Sequence, residues 1–242
     1  RVKYSTSALA EGGFSYVYPA YNARTRERYA LKKILCQVEE QREQALAEMR
    51  AHREFSHPNT MPLLDWALVV VEQGDAAYLL FPFMEVSLRE LLNRRVMGPG
   101  PPIGEVEALR IFAGICRGVR ALHHHNPPWA HRRPENIMIG RDGTPVIMDF
   151  GSVAPAERTI RGRTDALSLQ DEAAQFCTLP YRAPELFDVA SDAILDARTD
   201  VWSLGCVLFA LGIGLSPFEC EFGPGGEARA VECSFLRVIG QV

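Results

Sequence analysis

The sequence predicts an α+β protein of two unequal parts: a small antiparallel sheet with one helix, then a larger, mainly helical region. Three observations carry this reading. Short β-favouring runs at 16–18 and 29–35 open the chain, joined by a polar turn at 22–28. One charged segment free of Gly and Pro, 41–55, interrupts the strand-like runs and favours helix. From residue 105 onward apolar residues recur at helical spacing instead. With 242 residues, 47% of them apolar and 23% charged, the composition is globular, which excludes a disordered or fibrous chain.

Each element has a local reason. In 41–55, Ala45, Met49 and His52 stand four and three residues apart and define one helical face, which His57-Pro58-Asn59 ends. Strand patterns return at 61–71 and 77–83, with Gln73-Gly74-Asp75 as the turn between them. Residues 105–125 repeat apolar positions at Leu109, Phe112, Ile115, Cys116, Val119 and Leu122. Residues 199–211 are apolar nearly all round, which predicts a helix buried on every side. The apolar stretch 201–215, broken by Ser203 and three glycines, falls short of the roughly 18 consecutive apolar residues of a membrane span. Residues 99–102 and 223–226 read as loops.

Charge and cysteine usage narrow the function. A net charge of −4 gives no electrostatic case for nucleic acid. The six cysteines include no C-x-x-C pair, which favours reduced thiols over disulfides and a cytoplasmic setting. No signal peptide opens the chain, which starts at Arg1 and stops at Val242 and so reads as a fragment of a longer protein. His123, His124 and His125 do not share a helix face, so a solvated helix end with one inward His is preferred to a metal site.

The motifs carry the chemistry. Leu9-Ala10-Glu11-Gly12-Gly13-Phe14-Ser15-Tyr16-Val17 lies between strand-like runs, and a Gly-rich turn lets backbone N–H groups approach phosphate oxygens. It departs from G-x-G-x-x-G at Ala10 and Ser15, and alone reads equally as a hairpin turn. Ala30-Leu31-Lys32 then puts a lysine on the next strand, and Glu48 in the following helix is placed to pair with it. Ala130-His131-Arg132, Asn136, Met148-Asp149-Phe150-Gly151, Ala183-Pro184-Glu185 and Asp200-Val201-Trp202-Ser203 follow in order. Together these motifs resemble a eukaryotic protein kinase domain. The stretches 11–17, 114–118, 177–187 and 198–207 resemble the numb-associated kinase group, and within it the myristoylated and palmitoylated serine/threonine branch.

The resemblance implies a two-lobed fold over 1–242: an N-lobe at 1–81, a hinge at 82–85 and a partial C-lobe at 86–242, truncated at its C-terminal end. It implies ATP and Mg²⁺ as cofactors and a protein substrate carrying Ser or Thr hydroxyls. Lys32 would hold the α/β-phosphates with Glu48 aiming it, and Asn136 and Asp149 would bind the metal. Gly12 and Gly13 would cradle phosphates, Leu9, Val17, Ala30 and Met138 would enclose the base, Phe81 would be the gatekeeper, and backbone near Met84 would hydrogen-bond the adenine. Thr178 would stand near the acceptor hydroxyl, and Asp200 would tie down the catalytic loop. Residues 166–176 would form an extra activation-segment helix, although an ordinary amphipathic helix predicts the same pattern. Association with Golgi or other intracellular membranes is implied only through segments absent from this sequence. Truncation would leave the Glu185 carboxylate buried without its partner, a costly arrangement.

One departure bears on activity. The family pattern H-R-D-x-x-x-x-N supplies an Asp that accepts the substrate proton. Here the loop reads His131-Arg132-Arg133-Pro134-Glu135-Asn136, so the base is missing beside Arg132 and Arg133 under either alignment. Glu135 is the local carboxylate that remains. A pseudokinase acting as a scaffold, an inactive splice form and a faulty gene prediction of an active kinase all fit. A small-molecule kinase fits less well, because Tyr181-Arg182-Ala183-Pro184-Glu185 belongs to protein-substrate docking segments.

Overall fold

The computed structural model describes residues 2–12, 14–71, 74–96, 103–124, 136–148, 150 and 157–240. Its upper lobe is an antiparallel sheet of β1 (Val2–Tyr4), β2 (Ala10–Gly12), β3 (Ser15–Asn22), β4 (Arg28–Cys36), β5 (Asp65–Val71) and β6 (Gly74–Pro82). Strand order is β1-β3-β4-β6-β5, with β2 also paired to β3. The β3–β4 turn closes because Asn22 Oδ1 accepts the N–H groups of Arg24 and Thr25. Helix α1 (Glu39–Glu54) lies against β4 and β6. Its start is fixed by the Gln41 side chain, whose oxygen accepts the Gln37 N–H at 2.7 Å. Two acidic residues, Glu39 and Glu40, extend it ahead of residue 41, as the positive end of the helix dipole favours. Ala45, Glu48, Met49 and His52 form its buried face.

Residues 61–64 are not strand, contrary to the sequence reading. They turn instead toward the lower lobe, where the Met61 N–H donates to the Ile147 carbonyl at 2.8 Å. Gly74 and Asp75, expected in the turn, belong to β6, and Gln73 lies outside the described residues.

The lower lobe begins with β7 (Val86–Ser87), α2 (Leu88–Val96) and α3 (Glu105–His124). Strands β8 (Ile137–Ile139) and β9 (Pro145–Ile147) join β7 in a three-stranded sheet below the cleft. Two glycines let α3 approach β9 closely: a Cβ on Gly114 would stand 2.5 Å from Pro145 Cγ, and one on Gly118 2.8 Å from the Asn59 carbonyl oxygen. The buried face of α3 is Ala108, Ile111, Ile115, Val119 and Leu122, whereas Leu109 is exposed. Ile115, Val119 and Leu122 are thus buried as expected, and the small residues 108, 114 and 118 complete that face because they let it fit close to β9.

Then follow β10 (Arg158–Arg161), α4 (Arg163–Phe176), short 3₁₀ turns at Leu179–Tyr181 and Pro184–Leu186, β11 (Asp192–Leu195) and α5 (Arg198–Ile213). A hairpin of β12 (Cys220–Phe222) and β13 (Ala228–Ala230) and a short α6 (Phe235–Ile239) complete the described chain. Residues 223–226 are the turn of that hairpin. Residues 99–102 lie outside the described residues.

Helix α5 is not buried on every side. Asp200, Ser203, Cys206, Val207, Ala210 and Leu211 face the core, but Val201 is 60% exposed and Leu208 40%. No element among the described residues covers that second face. Glu185 is exposed rather than buried, so it carries no desolvation cost. An upper antiparallel sheet with one helix and a mainly helical lower lobe make the α+β, two-lobed architecture that the sequence predicts. No helix among the described residues is long and apolar enough to cross a membrane.

Candidate functional site

Between the lobes lies a cleft of roughly 540 Å³. Strand alternation and register build its roof. Val17 pairs with Lys32 across β3 and β4, and Ala30 pairs with Phe81 across β4 and β6. Since Ala30 and Lys32 are two residues apart, all four share one face of the sheet. Leu9 closes the roof from the β2 side, its N–H donating to the Val17 carbonyl at 2.7 Å. Met138 on β8 forms the floor with Met148, and Met84 lines the strap that joins the lobes. The cleft therefore has an apolar slot along the strap and a polar end at Lys32.

At that polar end Lys32 Nζ donates to Glu48 Oε1 at 2.6 Å, with both side chains largely removed from solvent. His52 lies one turn beyond Glu48 on α1. Its Nδ1 donates to the Met61 carbonyl at 3.1 Å, and its Nε2 stands 3.9 Å from Glu48 Oε1. The ring packs 4.2 Å from that of Phe150 and 4.8 Å from that of Phe81. Helix α1 is thus held to the cleft by an ion pair and, one turn on, by a buried imidazole. Asn136 is buried at the floor, and its carbonyl accepts the Met148 N–H at 2.9 Å.

The structure gathers Leu9, Gly12, Val17, Ala30, Lys32, Glu48, Phe81, Met84, Asn136 and Met138 around this one cleft. Thr178 does not line it; its carbonyl accepts the Tyr181 N–H at 3.0 Å in the segment after α4. Gly13, Asp149, His125, His131, Arg132, Arg133 and Glu135 lie outside the described residues. Of the described residues of the His run, His123 points inward: its Nε2 donates to Asp200 Oδ2 at 2.7 Å, joining α3 to α5. Residues 163–176 do form a helix, α4, which buries Ala166, Leu169 and Ala173 and leaves Leu167 exposed.

Sequence reasoning missed Ser15, His52, Ser87, Glu90 and Met148 as cleft residues. Signals for two of them were present. Ser15 precedes Val17 by two in a strand, and His52 follows Glu48 by four in a helix. Ser87 and Glu90 form a reciprocal cap at the start of α2: the Glu90 carboxylate accepts the Ser87 N–H at 2.9 Å, and the Ser87 hydroxyl accepts the Glu90 N–H. In the strap, Glu85 accepts from both Arg28 and Arg141 at 3.3 Å, linking β4 to the β8–β9 turn. All six cysteines are free thiols, and burial pushes Cys206 up to about 12. No group of three metal-ligating side chains occurs among the described residues. Chemically, the cleft suits a flat apolar group in the slot and an anion against Lys32.

Comparison with known proteins agrees with this geometry. The protein kinase domain family matches residues 5–234. Serine/threonine-protein kinase 16 of Homo sapiens is 43% identical over 219 residues, covering 90% of this chain and 71% of that protein. Serine/threonine-protein kinase ENV7 of Saccharomyces cerevisiae is 30% identical over 271 residues, covering 88% of this chain and 74% of that protein. The fold, the cleft and these similarities lead to one conclusion: the chain belongs to the protein kinase family, in the serine/threonine lineage of the numb-associated group.

Proposed function

We propose that the cleft binds Mg·ATP and that this domain descends from enzymes transferring the γ-phosphoryl group to protein Ser or Thr hydroxyls, with that transfer slowed by the missing base. The observation that carries the binding reading is the Lys32–Glu48 pair, 2.6 Å apart, at the polar end of an otherwise apolar slot. A buried pair is weak evidence for stability, since desolvation offsets much of the attraction. Facing a cleft, it supplies a fixed cation for phosphate oxygens. The residues fit the nucleotide: Val17, Ala30 and Met138 enclose a flat base, and Phe81 closes the back.

Mg²⁺, when bound, would neutralise phosphate charge. Asn136, which lines the cleft, would supply one oxygen ligand, and Asp149 is the second residue proposed to hold it. Lys32 would hold the phosphates, Glu48 would hold Lys32, and His52 would keep α1 against Phe150. Thr178, on the substrate-side segment, favours Ser/Thr acceptors. The lineage supports protein substrates, and six cysteines without a C-x-x-C pair support a reducing, cytoplasmic setting.

Thermal unfolding with and without Mg·ATP tests the binding reading. Ligand at about 100 times its Kd adds about 2.7 kcal/mol, and for a chain of this size each kcal/mol is worth roughly 2–4 °C in Tm. A rise of about 5–10 °C is expected. Lys32→Ala should abolish it, and an unchanged Tm in the parent protein would refute nucleotide binding. A second reading, a nucleotide-binding scaffold without transferase activity, is favoured by His131-Arg132-Arg133-Pro134-Glu135-Asn136, which contains no Asp.

A further inference from the structure

The glycine-rich hairpin departs from its pattern at Ser15, and the structure gives that departure a use. In the β2–β3 hairpin Gly12 pairs with Ser15, and Ser15 pairs onward with Ile34 on β4. Two residues before Val17 on one strand, Ser15 shares the inward face of Val17 and Lys32 and lines the same cleft. It is the diagonal neighbour of Lys32 across the ladder, a backbone separation of about 7–8 Å. Glu11, the acidic residue of this hairpin, also lines the cleft, but its register with Tyr16 puts it on the alternate strand positions from Ser15 and Val17.

The hydroxyl is also aimed. A Cβ built on Gly12 would stand 3.4 Å from Ser15 Oγ, so the hydroxyl lies over the glycine on the cleft face. Because Gly12 has no side chain, the space beside that hydroxyl is open. The hairpin tip is anchored, since the Leu35 N–H donates to the Phe14 carbonyl at 2.9 Å. A hydroxyl on an anchored roof, next to a lysine on the same face, is a donor suited to a phosphate oxygen.

We propose that the Ser15 hydroxyl is a phosphate-binding group of the cleft, donating a hydrogen bond to the terminal phosphates of the bound nucleotide. This rests on the nucleotide reading above and adds a side-chain donor where the glycine pattern offers only backbone. A hydrogen bond to a charged group, in a cleft open to water, is worth about a tenfold change in affinity.

Calorimetric titration of the parent, Ser15→Ala and Ser15→Gly proteins with Mg·ATP and with adenosine tests it. Both variants should bind Mg·ATP about tenfold more weakly and bind adenosine as the parent does. Unchanged Mg·ATP affinity in both overturns the proposal, as does an equal loss for Mg·ATP and adenosine, which would make Ser15 structural. Weakening in Ser15→Ala but not in Ser15→Gly, which also lacks the hydroxyl, would show that losing the hydroxyl does not itself lower affinity and would overturn it too. A parent that binds neither probe overturns the nucleotide reading itself, and this assignment with it.

Discussion

Replacing Gly118 by alanine should destabilise the protein, although alanine is the better helix former. In the interior of α3 the substitution gains about 1 kcal/mol of helix propensity. The new Cβ, however, would stand 2.6 Å from Ile147 Cδ1 and 2.8 Å from the Asn59 carbonyl oxygen. The isoleucine tip can rotate, but the carbonyl is backbone, and it accepts the Ile147 N–H at 2.9 Å. Overpacking costs about 1–3 kcal/mol, and with a fixed backbone carbonyl in the way the upper part of that range, about 2–3 kcal/mol, applies, so a net loss of about 1–2 kcal/mol is expected. Gly205 in α5 is the matched control: it is exposed, a Cβ there meets nothing within 4 Å, and Gly205→Ala should stabilise by about 0.5–1 kcal/mol. Urea unfolding of both variants measures this, as opposite shifts of the midpoint at constant m. A neutral or stabilising Gly118→Ala would refute the close α3–β9 contact. With it would go the account of how the cleft floor at Met138 is held up.

Two further outcomes follow from buried groups. His123→Ala should cost about 2–4 kcal/mol, because it leaves the Asp200 carboxylate, 4% exposed, without its 2.7 Å partner; His123→Ala combined with Asp200→Asn should recover part of the loss in urea unfolding, and full additivity would contradict the pairing. Cys206, raised by burial from an ordinary value of 9.0 to about 12, keeps its proton in the folded state while the unfolded chain loses it. Stability should therefore be intact below pH 9.0 and fall between there and about 12. The slope reaches at most about 1.4 kcal/mol per pH unit. Cys206→Ala should flatten that decline in urea midpoints measured across the alkaline range, and an identical slope in the variant would refute it.

How much of this was legible in the sequence depended on whether the signal was local. Lys32 and Glu48 were readable because one sits in a β-favouring run and the other on the Ala45–Met49 face of a Gly- and Pro-free segment. Strands β10 and β11 were not, since each is four residues long and their pairing, Arg158 to Leu195 and onward, spans α4. In α3 the expected Ile115, Val119 and Leu122 are buried, whereas Leu109 is exposed and Ala108, Gly114 and Gly118 join the buried face, for a physical reason. Periodicity finds large apolar residues, but the contact with β9 selects Gly114 and Gly118, which a hydrophobic pattern does not weigh. Uniform apolarity in α5 likewise predicted burial that packing does not provide at Val201. His52 was placed on the inner face, but its carbonyl partner, Met61, depends on residues 61–64 leaving the strand pattern. Glu185 was expected buried from motif analogy alone, and its own neighbours leave it in water.

Phosphoryl transfer by this cleft turns on the loop between Arg132 and Asn136, and one measurement reaches it directly. Inserting Asp-Leu between Arg132 and Arg133 restores both the carboxylate and the four-residue spacing to Asn136, whereas inserting Asn-Leu restores only the spacing. Single-turnover transfer from γ-labelled ATP to a Ser/Thr acceptor peptide is then compared for the parent and both insertions. If a general base is what the cleft lacks, the Asp-Leu protein should exceed both others by about 10²–10⁴-fold. An Asp-Leu protein no faster than the Asn-Leu one would contradict that claim. So would a parent that already transfers at the rate of the Asp-Leu protein.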